Sequence, residues 1–149
     1  GRAAMRLAAS VKTTDPARWR QVRQYFIAAN RIDPDNAEAL QLYYSSFAAS
    51  GTEPTKNAEV ALLRAYEITP FDLGTRMTAA MVLLHRHDAA HARTVLATVA
   101  YNPHAGNLGK AASLIMDALD KGGPDAALAL FSPATDDATK KDGAGPDKS

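Results

Sequence analysis

Arg31-Ile32-Asp33-Pro34 recurs in kind as Glu67-Ile68-Thr69-Pro70 and again as Ala100-Tyr101-Asn102-Pro103. The three prolines stand 36 and 33 residues apart, a spacing near that of helix–turn–helix repeats. Each proline follows one helical apolar pattern and precedes another. Proline disfavours the helical conformation in the residue before it and cannot continue a helix. Each of the three therefore marks the end of one helix and the turn into the next.

Between these marks the apolar residues recur with a period of 3.6. Trp19, Val22, Phe26 and Ala29 form one stripe, and Leu40, Tyr43, Tyr44 and Phe47 a second. Leu62, Ala65 and Tyr66 follow, then the run from Met77 through Val82, Leu83 and Leu84, then Leu108, Ala112, Ile115 and Leu119. Each is the buried face of an amphipathic helix. Capping residues stand where these helices would begin: Asp15 before Pro16, Asp35 or Asn36, Thr55, Asp72 and Asp88. Gly51 and Gly122-Gly123-Pro124 are stops. The spacing predicts eight helices, near 3–12, 15–31, 36–49, 55–68, 72–86, 88–100, 105–121 and 124–131. No run of alternating Val, Ile or Thr supports a strand, and the fold class is all-α. Residues 132–149, SPATDDATKKDGAGPDKS, lack large apolar side chains. Such a segment cannot offset its ordering entropy by burial. The expected division is a helical repeat domain at 1–131 and a disordered tail or linker at 132–149.

Composition excludes several function classes. The 17 basic and 16 acidic side chains leave a net charge of +1, which gives no general attraction to nucleic acid or an anionic membrane. Residues 1–31 are more basic, with seven Lys/Arg, Arg18, Arg20, Arg23 and Arg31 among them, against one Asp, Asp15, and are expected to be a solvated face. No segment approaches the ~20 apolar residues of a membrane span. The absence of cysteine removes disulfides and thiolate chemistry and leaves the compartment open. Gly1 in place of an initiator methionine suggests a piece cut from a longer chain.

The pattern resembles the tetratricopeptide repeat. That family places a small residue, an aromatic, a small residue and a proline along the second helix of each repeat. Ala58, Leu62, Ala65 and Pro70 take those places, as do Val22, Phe26, Ala29 and Pro34. Leu40, Tyr43 and Phe47 match the large positions of a first helix. The departures are Tyr44 and Ala80 in place of the family's glycine, about two extra residues around 51–57, and His91 where a small residue is expected. The likeness covers residues 3–121 and implies a right-handed α-solenoid of antiparallel helix pairs, about three repeats plus a degenerate fourth. It also resembles the C-terminal repeat region of larger bacterial proteins.

The resemblance implies a protein–protein interaction scaffold with no catalysis of its own, holding a protein or peptide segment in a concave groove. Its groove positions fall on Glu38, Gln41 and Ser45, then Met77 and Met81, with His85 one turn further along. The next repeat supplies Asn107, Lys110 and Leu114. Methionine is flexible and polarizable, which suits an adaptable apolar contact. The Lys–Asn–Arg clamp of chaperone-binding members is missing, since Gln41, Ser45, Thr78 and Ala111 take its places. Alternative readings are a domain docking to the rest of a longer, peptidase-like envelope protein, and a metal-binding protein.

The metal alternative rests on His85-Arg86-His87-Asp88-Ala89-Ala90-His91. His87 and His91 stand at i and i+4, the spacing of zinc-gripping helices, with Asp88 where such enzymes carry a Glu. No third ligand is apparent. Asp88 reads better as a helix cap, so His87 and His91 are expected to be weak candidates and no cofactor is expected. There is no Gly-rich phosphate loop or nucleophile elbow.

Overall fold

The computed structural model describes residues 15–131. The expected helix at 3–12 and tail at 132–149 lie outside these residues. Six helices follow one another: α1 Pro16–Ile32, α2 Ala37–Ala49, α3 Lys56–Ile68, α4 Leu73–His85, α5 Ala89–Ala100 and α6 Asn107–Ala129. No strand occurs among the described residues. Helices adjacent in sequence pack on each other, and α4 also packs on α6. Short connections between packed neighbours make them antiparallel.

Five of the six helix starts are capped by a side chain that the sequence offers. Asp15 accepts from the Ala17 N–H at 2.9 Å and Asn36 from Ala39 at 2.9 Å. Thr55 accepts from Ala58 at 3.2 Å, Asp72 from Thr75 at 2.6 Å and Asp88 from His91 at 3.2 Å. Each satisfies a backbone donor that the first turn of a helix leaves unpaired. Between Asp35 and Asn36, the cap is Asn36. The sixth helix starts after Gly106, with no side-chain cap.

The connections fall into two kinds. Before α2, α4 and α6 the chain makes a β-turn with proline in its second place. Asn36 N–H donates to Asp33 at 3.2 Å, Asp72 to Thr69 at 3.1 Å and Ala105 to Asn102 at 3.1 Å. Proline's fixed φ is pre-set for that place. After α2 and α4 the chain instead passes through a left-handed residue. Gly51 has φ 69° and His87 φ 57°. In both, the left-handed N–H reaches back three residues, Gly51 to Ala48 at 3.0 Å and His87 to Leu84 at 2.9 Å. The next N–H reaches back five, Thr52 to Phe47 at 3.0 Å and Asp88 to Leu83 at 2.9 Å. This is the Schellman closure, which satisfies the last carbonyls of a helix. Two further glycines take positive φ: Gly106, φ 54°, just before α6, and Gly123, φ 74° and ψ −170°, which breaks α6. The span Asn107–Ala129 is thus two helical stretches that meet at a kink at Gly123 and Pro124, in keeping with the two helices expected near 105–121 and 124–131. Gly51, His87 and Gly123 are each separated by 36 residues.

The core is built in three clusters along the stack. Trp19, Val22 and Phe26 of α1 meet Leu42 and Tyr43. Tyr44, Phe47, Ala58, Leu62 and Val82 form the middle cluster. The largest joins Leu84, Val95, Leu96, Val99, Ile115, Met116 and Leu119. Leu84 and Leu96 are fully buried, and each such side chain contributes about 1.5–3 kcal/mol. Tyr44 and Ala80, standing where a glycine was expected, are both buried in this core. Trp19 is buried as well.

Candidate functional site

The expected groove lies on α2, α4 and α6, and these three helices are connected in a row. α4 packs on α6, and Gln41 Nε2 of α2 donates to Thr75 Oγ1 of α4 at 2.6 Å. Thr75 is buried, and its hydroxyl donates in turn to Asp72 Oδ1 at 2.7 Å. Gln41 is therefore engaged in holding the row together. The same bonds hold the Asp72 carboxyl below the usual carboxylate range: the Thr75 hydroxyl first, then the Thr75 N–H.

Each helix of the row presents an i, i+4 pair. On α2 the pair is Gln41, half-buried, and Ser45, exposed. On α4 it is Met77 and Met81, both half-buried. Met77 leans on the largest core cluster and Met81 on the middle one, so each thioether is part core and part surface. On α6 it is Lys110 and Leu114, both exposed. Leu114 keeps 64% of its surface in solvent. Glu38 is exposed and lines a cleft of about 410 Å³ between α1 and α2 with Tyr25, Ala29 and Leu42. His85 and Asn107 are exposed at the end of α4 and the start of α6. The row thus offers apolar side chains at its middle and one cation on α6.

The histidine segment is a turn. His87 sits outside any helix in the left-handed region, and Asp88 closes α4 while capping α5. His87 and His91 are consequently not one turn apart on a common helix. His91 Nδ1 lies 2.7 Å from Asp88 Oδ2. The His91 N–H, and then its ring, lower the Asp88 pKa. Among the described residues no three His, Asp or Glu side chains converge as a metal site.

Two features escaped the sequence reading. Arg23 is not a solvated cation. Its guanidinium lies 3.9 Å over the Phe47 ring, and it donates to Ser46 Oγ at 3.0 Å, to the Ser46 carbonyl at 3.2 Å and to Ser50 Oγ at 2.5 Å. It thereby closes the C-terminal end of α2, where a cation is favoured. Burial lowers its pKa, partly opposed by Tyr43, yet a guanidinium stays charged. The second is a cavity of about 280 Å³ lined by Phe26, Ile27, Asn30, Leu40, Tyr43 and Ala61. Asn30 Oδ1 is buried without a hydrogen-bond partner.

No family model, curated protein or solved structure matches this chain. The functional reading consequently rests on the row of α2, α4 and α6 itself.

Proposed function

We propose that this chain is a protein–protein interaction scaffold, a right-handed α-solenoid of about three tetratricopeptide-like repeats plus a degenerate fourth. It holds a partner segment against α2, α4 and α6 and performs no catalysis of its own. The observation that carries this reading is the recurrence of one connection at three places. The hydrogen-bonded proline turns at Pro34, Pro70 and Pro103 each open a helix of the row. Repeats joined in this way set equivalent helices side by side and leave one continuous face for a ligand.

Met77, Met81 and Leu114 favour apolar side chains in the partner, and Lys110 favours an acidic one. The partner is a protein or peptide, not nucleic acid or membrane. No helix among the described residues is long and apolar enough to cross a membrane. The experiment is selection of peptides from a displayed random library. Apolar–acidic sequences should enrich, and Lys110→Glu with Leu114→Glu, both at exposed positions, should abolish their binding while leaving the melting temperature within a few degrees. Binding unaffected by both substitutions contradicts the reading. Absence of any binder, with the Gly51–Pro54 loop protected from protease in a longer form of the chain, points instead to docking within that longer chain.

A further inference from the structure

The three most exposed large apolar side chains among the described residues are Ile32 and Phe71, each 87% exposed, and Tyr101, 78% exposed. Ile32, the last residue of α1, and Tyr101 stand two places before Pro34 and Pro103, and Phe71 directly follows Pro70, so all three border the turns that join α1 to α2, α3 to α4 and α5 to α6. Because consecutive helices are antiparallel, these turns lie along one edge of the stack. Pro34 and Pro103 are exposed beside them. The opposite edge, formed by residues 50–55 and 86–88, exposes no large apolar side chain. Single exposed apolar residues are ordinary, but one on each of three successive turns of the same edge calls for a cover.

We propose that a second copy of this chain covers the edge. The two copies meet edge to edge about a two-fold axis. Phe71 comes from the middle turn and meets its own counterpart at the axis, while Ile32 of each copy lies against Tyr101 of the other. A self-complementary contact of this kind needs the same row read in opposite directions, which three turns in line provide. The area suits it. Aromatic side chains bury about 150–250 Å² each, so Phe71 and Tyr101 with Ile32 beside them supply at most roughly 500 Å² per copy. The two-fold doubles this to about 1,000 Å², the threshold of a biological interface and within the range of weak, transient ones. The net charge of +1 opposes the approach only weakly. The dimer is accordingly weak and concentration-dependent, and it leaves the face of α2, α4 and α6 open.

Sedimentation of the full chain from low micromolar to near-millimolar concentration tests this. The weight-average mass should rise from one copy to two and stop there. Phe71→Glu should weaken the association at least tenfold without moving the melting temperature, because the ring touches solvent. Val60→Glu, on the outer side of α3 and 57% exposed, should associate like the wild type. Since the chain has no cysteine, Phe71→Cys should also cross-link on mild oxidation at concentrations where Thr52→Cys, on the opposite edge, does not. A wild type that stays single at the highest concentration, a Phe71→Glu variant that associates equally well, or equal cross-linking by both cysteines overturns the proposal.

Discussion

Along one edge of the stack the chain reverses through Pro34, Pro70 and Pro103; along the other it reverses at Gly51 and His87, with Gly123 36 residues further on. Both devices end a helix and aim the next, by different means. The proline turn draws its order from a ring that has lost one torsion before folding begins. The left-handed turn draws its order from carbonyl closure and needs a residue that tolerates positive φ. The proline edge can therefore carry ordinary side chains beside the ring, and it carries Ile32, Phe71 and Tyr101; only before α6 does it also use a positive-φ glycine, Gly106. The left-handed edge is restricted at its central residue, and it carries glycine twice.

The strongest way to break this contrast is at the restricted edge. Gly123→Val places a β-branched side chain at φ 74°, ψ −170°, a region held almost only by glycine. The expected loss is about 2–3 kcal/mol in denaturant unfolding. Next comes the cap beside the middle proline turn. Asp72→Ala should cost about 1 kcal/mol at neutral pH. Its folded pKa lies below the unfolded value, because the Thr75 hydroxyl and N–H bind the carboxylate. That contribution is present above an unfolded pKa near 4 and is lost as pH falls through the folded value. The wild type and Asp72→Ala should converge in acid, and a difference that persists below the folded pKa contradicts the cap assignment.

A smaller effect of opposite sign sharpens the comparison. His87 occupies the left-handed place that glycine fills at Gly51. His87→Gly should raise stability by about 0.5–1 kcal/mol, since relief of the side-chain strain exceeds glycine's greater unfolded freedom. The smallest effect belongs to the proline edge. Phe71→Ser should change the melting free energy by less than about 0.5 kcal/mol, as exposed positions usually do.

What the sequence disclosed follows the range of each interaction. The caps at Asp15, Thr55, Asp72 and Asp88 were legible because a cap reaches only two or three residues along the chain. The helices were legible from their periodicity, and so were Met77 and Met81 as a pair on one face. Arg23 was not legible, because its acceptors Ser46 and Ser50 lie on the next helix and are chosen by packing. Gln41 and Thr75 were hidden for the same reason, with 34 residues between them. His87 was missed as a left-handed residue because histidine bears no mark of that role. The exposed edge was hidden too: Ile32 and Ile68 stand alike two places before a proline, yet one is exposed and the other half-buried.

The groove itself is tested most directly by the methionine methyl resonances of the chain labelled at its Met side chains, during titration with a library-selected peptide. Met77 and Met81 are half-buried on α4, whereas Met116 is buried within the core on α6. The account predicts saturable shifts at Met77 and Met81 with Met116 nearly unmoved. Shifts confined to Met116, or saturable binding that leaves Met77 and Met81 in place, would contradict a partner held against α2, α4 and α6.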